Sequence, residues 1–313
     1  MDGNDKLLLA GVLKRRGIRP ETELLRDQSR LARIRRGVYT DTRYWSQLQA
    51  AERYRIFVLA TVECMRSAPI VSGLSAAAVW ELPTVGRWPN TVEVLVARGG
   101  PGSTGNVARR RVASIPEPHQ VGGVLVTSPA RTVIDVARCA DFAAALTVAD
   151  AALRQKLCTP DDIDHEVELI PDRARGRKSA ARVAMLADRL CESPGESLSR
   201  ARMWELGLPQ PRLQVPLHDS RGSYGRADFG WPGVIGEFDG KAKYGMQGIA
   251  DEEAADVLWR EKRREDRIRE SDKVARWTWD DALRGSPMAQ ILARVGITPV
   301  PQPPPWVRGP ATT

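Results

Sequence analysis

The run Arg226-Ala227-Asp228-Phe229-Gly230-Trp231-Pro232-Gly233-Val234-Ile235-Gly236-Glu237-Phe238-Asp239-Gly240-Lys241 constrains this chain more than any other stretch. Proline fixes φ at the first central position of a turn and glycine tolerates a positive φ at the second, so the run reads as a β-hairpin closed at Pro232-Gly233. If those two residues are the whole loop, Trp231 faces Val234, Gly230 faces Ile235, Phe229 faces Gly236 and Asp228 lies opposite Glu237. Opposed residues have Cβ atoms roughly 4.5–5.5 Å apart on one face of the sheet. Alternation carries Asp239, Lys241 and Lys243 onto the face of Glu237. Two like charges so placed repel by under about 1 kcal/mol in the open and by more when buried. A bound divalent cation reverses that sign. Pro-Gly makes type I or II turns, whose twist suits hairpins less well than the primed turns, so a bulge or longer loop is the competing register.

The chain has 313 residues, enough for two or three domain cores. With 42% hydrophobic and 27% charged residues its composition is globular. No uncharged apolar run approaches the roughly 20 residues of a membrane helix. Leu7 to Leu13 precedes Lys14-Arg15-Arg16, the reverse of a secretory signal's order, and Cys64, Cys139, Cys158 and Cys191 are too scattered for a disulfide framework or a zinc knuckle. A reduced cytoplasmic setting is the expectation. A net charge of +8, carried largely by arginine, favours an anionic partner, most simply nucleic acid, although arginine richness also follows from genomic base composition.

Along the chain, Lys6 to Arg16 has helical spacing and ends at Gly17, and a short helix opened by Pro20 follows. Leu31 to Tyr39 reads as two short strands joined near Arg35 to Gly37. Helix, turn, helix and basic hairpin is the order of a winged helix-turn-helix. Arg33, Arg35 and Arg36 stand where a wing would meet phosphates or a minor groove. The alternative is a small helical cap with a solvated charge run. Arg53 to Met65 and Ser72 to Leu82 are expected helical, Thr91 to Ala97 a strand, and about Thr132 to Leu157 one long helix. Asp172 to Lys178 suits a linker or a helix start. Beyond it come helices at Ala180 to Arg189 and Glu196 to Leu206, a strand at Leu213 to His218 and the hairpin. A charged helix at Asp251 to Glu270, a strand at Val274 to Trp279 and a helix at Asp281 to Val295 complete the pattern. The proline-rich end from Pro299 is expected to be a loose tail.

Two stretches carry family resemblances. Leu31 to Tyr39, Val71-Ser72-Gly73-Leu74-Ser75-Ala76-Ala77-Ala78 and Ser128-Pro129-Ala130-Arg131-Thr132-Val133-Ile134-Asp135 together resemble the actinobacterial AbiEi-type proteins. The resemblance implies an antitoxin of a type IV abortive-infection system, with an N-terminal winged helix-turn-helix on operator DNA and a nucleotidyltransferase toxin as counterpart. The second stretch holds Glu196-Ser197-Leu198-Ser199-Arg200, Arg226-Ala227-Asp228-Phe229, Glu237-Phe238-Asp239-Gly240-Lys241 and Arg276-Trp277-Thr278-Trp279. It resembles the very-short-patch-repair-like branch of the PD-(D/E)XK nuclease superfamily.

That second resemblance implies cleavage of phosphodiester bonds with Mg²⁺ or Mn²⁺. Asp228 and Glu237 would hold the ion, Glu196 would approach from its helix, and Asp239 would be a third ligand. Lys241 would orient the attacking water, with Lys243 in reserve near the nucleic acid. The sequence departs from the family at one place, because lysine usually stands two residues after the second acid and Asp239 is there instead. The expected fold is α/β in its parts and α+β overall. It comprises a winged helix-turn-helix over 1–66, a mixed α/β domain over 67–170, a restriction-endonuclease-like domain with a central mixed sheet over 171–298 and a tail over 299–313.

Plainer readings stand beside these. Glu196 suits a helix N-terminus through the macrodipole, and Lys241 suits solvent. The charges of Trp259 to Asp266 suit a solvated face laced by i,i+4 pairs. His119, His165 and His218 lack metal-ligand spacing. Gly99 to Gly105 lacks the lysine of a phosphate loop. Arg109-Arg110-Arg111 suits either phosphate or water. A Mg²⁺-dependent endonuclease, a DNA-binding regulator whose nuclease fold is inactive, and a toxin-neutralising protein acting through protein contacts all remain open.

Overall fold

The computed structural model describes residues 6–25, 29–220, 222–240, 267, 272–301 and 306. Lys241 and Lys243, the expected charged helix apart from Arg267, and nearly all of the proline-rich end lie outside the described residues. Side-chain and backbone contacts divide the chain into two compact units, 1–139 with 161–174, and 140–160 with 175–313.

The first unit opens with β1 (Leu8–Leu9), α1 (Ala10–Arg15), α2 (Pro20–Glu23), β2 (Leu31–Arg35) and β3 (Val38–Asp41). These strands form an antiparallel sheet in the order β1-β3-β2. The apolar start expected to be wholly helical therefore contributes a two-residue strand first, because Leu8 and Leu9 pair with Tyr39 and Val38. Next come α3 (Thr42–Gln47), α4 (Ala50–Glu63), β4 (Ile70–Val71) and α5 (Gly73–Val79). Then follow β5 (Val92–Ala97), β6 (Val107–Val112), β7 (His119–Val121), β8 (Val124–Val126) and α6 (Pro129–Ala137). Here a mixed five-stranded sheet runs β6-β5-β4-β8-β7. Val58, Val71, Val94 and Val126 form its core with Tyr54. The buried Tyr54 hydroxyl donates to the Thr91 carbonyl at 2.8 Å and lies 2.6 Å from Ser75 Oγ, so its polar atom is satisfied within the apolar packing.

The expected helix from Thr132 to Leu157 is two helices, α6 and α7 (Phe142–Arg154), interrupted at 138–141. Helix α7 belongs to the second unit, whereas α8 (Pro160–Glu168) belongs to the first. The second unit continues through α9 (Arg177–Leu186), α10 (Pro194–Glu205), β9 (Arg212–Asp219), β10 (Gly222–Trp231) and β11 (Val234–Asp239). It closes with β12 (Lys273–Thr278), α11 (Trp279–Arg284) and α12 (Ser286–Arg294). The helix expected at Asp281 to Val295 is thus broken, at Gly285, where φ is +74°. Glycine alone takes that conformation without penalty, and Pro287 then favours a fresh helix start.

The second unit's sheet has the order β12-β11-β10-β9, antiparallel except for the parallel β11–β12 pair, so it is mixed as expected. Its core centres on Trp277, 1% exposed, against Phe229 at 5.3 Å between ring centroids. The Trp277 indole N–H donates to Ser199 Oγ at 2.8 Å, tying β12 to α10. Close approach fixes two glycines. A Cβ on Gly236 would stand 2.8 Å from Trp277, and one on Gly195 would stand 2.0 Å from the Phe238 ring. Helix α10 therefore starts directly against β11. The chain as a whole is α+β.

Candidate functional site

In the first unit, β2 and β3 form the basic hairpin. The register pairs Arg33 with Tyr39 and then shifts, so that Arg35 pairs with Val38. Gly37 takes φ = +85° at the turn. Arg33 and Arg36 are exposed, as phosphate contacts require. Arg35 is half-buried and donates Nη1 to the Thr61 carbonyl at 3.3 Å, which holds the hairpin against α4. Helix α2 carries Glu21 and Glu23, so attraction to phosphates in this module rests on the hairpin and on exposed Lys14, Arg15 and Arg16.

In the second unit, the β10–β11 register is Trp231↔Val234, Gly230↔Ile235 and Phe229↔Gly236, the pattern of a two-residue Pro-Gly loop. Carried one residue outward, it sets Asp228 level with Glu237. Asp228 Oδ2 accepts the Phe238 N–H at 2.8 Å. Glu237, 9% exposed, is paired in the parallel direction with Arg276, whose Nε donates to its Oε2 at 2.7 Å. Asp239 is exposed at the end of the strand, level with Thr278.

Glu196, 6% exposed at the start of α10, is held by a local cap. Ser193 Oγ accepts the Glu196 N–H at 3.2 Å and donates to Oε1 at 2.7 Å. Oε2 accepts the Glu192 N–H at 2.9 Å and the Gln214 amide at 3.0 Å. Ser193 thus caps the helix, while the Glu196 side chain reaches the Glu192 N–H one residue before the N-cap and adds Gln214 as a long-range partner. Gln214 adopts φ = +49°, a conformation costing a non-glycine residue about 1–3 kcal/mol. It lies across from Asp228, between the Ala227↔Val215 and Phe229↔Leu213 pairs. Among the described residues, no group of three or more His, Cys, Asp or Glu side chains is arranged to hold a metal ion. Glu196, Asp228 and Glu237 are engaged by the hydrogen-bond donors named above.

Burial raises the Glu196 carboxyl above its ordinary value of 4.5, against the Glu192, Ser193 and Gln214 donors. The folded state then binds more protons than the unfolded chain in that window, so this group's contribution falls as pH rises from 4.5 through the raised value. Glu196→Gln is expected to reduce the decline of the urea midpoint with rising pH. An unchanged slope would assign that titration to another group.

Two buried ionic clusters were missed by the reading of the sequence. In the second unit, Asp150 on α7 meets Arg200 and Ser197 of α10. In the first, Asp135 on α6 takes Arg131 Nε at 3.0 Å and Arg110 Nη1 at 3.1 Å. The second cluster had a readable signal. Alternation along β6 separates Arg110 from Arg109 and Arg111 in the triple-arginine run, and Arg131 and Asp135 stand at i,i+4.

A family model described as the AbiEi antitoxin C-terminal domain matches residues 71–183. Two curated relatives are uncharacterized proteins of Mycobacterium tuberculosis, MT2308 and Rv2248. Each is 40% identical over 114 residues, which is 36% of this chain and 42% of the relative. The chain therefore covers less than half the length of the curated relatives it matches. Among solved structures, the RV2827C protein from Mycobacterium tuberculosis aligns with 57% of this chain and 70% of its own, at 13% identity and a TM-score of 0.35. Those values carry no fold correspondence. Among the described residues, no helix is long and apolar enough to cross a membrane.

Proposed function

We propose that this protein is a DNA-binding regulator of the AbiEi antitoxin kind, counterpart to a nucleotidyltransferase toxin and acting in the cytoplasm. The observation that carries the reading is the family match over residues 71–183, with a basic hairpin at Leu31–Asp41 on its N-terminal side. On this reading Arg33 and Arg36 meet phosphates at the wing, while Arg35 positions the hairpin through Thr61. The net charge of +8 supplies long-range attraction to DNA.

One arrangement favours a second reading, a Mg²⁺- or Mn²⁺-dependent endonuclease. The mixed sheet, the hairpin register that brings Asp228 level with Glu237, and the strained Gln214 between Asp228 and Glu196 are what a nuclease-like core would need. A supercoiled-plasmid assay with Mg²⁺ or Mn²⁺, run beside Asp228→Ala and Glu237→Ala, separates the two. The regulator reading predicts a gel shift with no nicking by any of the three proteins. Metal-dependent nicking lost in both variants would overturn it in favour of the endonuclease.

A further inference from the structure

The first unit contains a cleft of about 330 Å³ that the DNA-binding reading does not use. Arg110, Arg131 and Arg138 line it from β6 and the end of α6, with Glu166 of α8 as the carboxylate on its wall, while the Arg111 guanidinium lies on the other face of β6 and donates to the Gly100 carbonyl at 3.5 Å. Beneath it the Asp135 side chain is fully buried and fixes two of these arginines, accepting from Arg131 Nε at 3.0 Å and pairing with Arg110 Nη1 at 3.1 Å. A guanidinium has five N–H donors, so a carboxylate that takes one from each leaves the others in fixed directions. Glu166 pairs with Arg131 Nη1 at 3.5 Å. Burial raises its carboxyl, which weakens the one negative charge on the wall. Burial, and then the charge of Arg110, lowers Arg138, as expected where cations crowd together.

The remaining wall is apolar. Ile134 and Ile170 are buried there, and Leu169 is 60% exposed at the rim. Guanidiniums on one side and aliphatic side chains on the other suit a ligand that is part phosphate and part organic. The volume lies at the lower end of the roughly 300–1,000 Å³ typical of small-molecule sites, which suits one nucleotide rather than a nucleic-acid strand.

We propose that this cleft binds a nucleoside monophosphate, with the phosphate on the arginines and the nucleoside against Ile134, Leu169 and Ile170. The site is separate from the wing and does not depend on the DNA-binding reading.

The test is calorimetric titration of the full chain with AMP, CMP, GMP and UMP, beside adenosine and inorganic phosphate. At least one nucleotide is expected to bind one-to-one, about tenfold or more tightly than phosphate, with no binding of adenosine. Leu169→Asp, which sets a negative charge at the rim, and Arg138→Gln should each weaken that nucleotide about tenfold. Arg33→Gln should leave it unchanged. Leu169 is exposed, so its variant keeps the test open should Arg138→Gln fail to fold. The proposal is overturned if none of the four nucleotides gives saturable heat, if phosphate binds as tightly as they do, or if Leu169→Asp binds like the parent. Displacement of the bound nucleotide by duplex DNA would also overturn it, by making the cleft part of a nucleic-acid surface.

Discussion

Asp150→Ala is expected to destabilise the second unit by about 3–5 kcal/mol, the cost of leaving one member of a buried ion pair without its partner. Asp150 is 1% exposed and Arg200 is 3% exposed. Arg200 Nη1 reaches both Asp150 oxygens, at 3.1 and 3.3 Å, and Nη2 donates to the Leu186 carbonyl at 2.6 Å. Ser197 Oγ donates to the same carboxylate at 2.7 Å, and so does the Asp188 N–H at 2.8 Å. Burial alone would lower the Arg200 pKa, but with the Asp150 carboxylate at 3.1 Å it lies above its ordinary value. A guanidinium is not deprotonated in proteins, so Arg200, 3% exposed, stays charged when Asp150 is gone. Replacing both partners, Asp150→Ala with Arg200→Met, should recover much of the loss because no stranded charge remains. Urea unfolding followed by circular dichroism measures both. A loss under about 1 kcal/mol in Asp150→Ala would contradict a structural role for this pair.

The second large effect belongs to the wing. Neutralising Arg33 and Arg36 together, as Arg33→Gln with Arg36→Gln, is expected to lower DNA affinity by about 10- to 100-fold near 0.1 M salt. It should also reduce the slope of log affinity against log salt by about 2, one unit for each lost phosphate contact. Both side chains are exposed, so the fold should not register the change. Arg35→Gln should behave differently. Its guanidinium bonds the Thr61 carbonyl, and that variant should lose stability before it alters the salt slope. An unchanged slope in the double variant would remove the wing from the DNA contact.

The features readable in the sequence were those set by local chemistry. Pro232-Gly233 fixes a two-residue loop, and the register of β10 and β11 follows from it. Glu196 was expected at a helix N-terminus, and α10 begins two residues before it at Pro194, with Ser193 accepting the Glu196 N–H. Leu8 and Leu9 misled, because a two-residue strand inside an apolar run has no period of its own and is recruited only by pairing with β3. The break between α6 and α7 was hidden by an alanine-rich stretch that favours helix throughout. The ionic partners were hidden by distance along the chain. Arg276 stands 39 residues from Glu237, and Arg200 stands 50 from Asp150. The Glu196-Ser197-Leu198-Ser199-Arg200 motif was visible as a pattern, yet what it does here depends on those remote partners. Ser197 and Arg200 hold Asp150, and Ser199 receives the Trp277 indole.

The most direct measurement is a competition gel shift of the full chain on the DNA upstream of its own reading frame, against a scrambled duplex of equal length, at about 0.15 M salt. A sequence-reading regulator should prefer the upstream DNA by about a thousandfold or more. Equal binding to both duplexes, or no shift on either, would contradict the account.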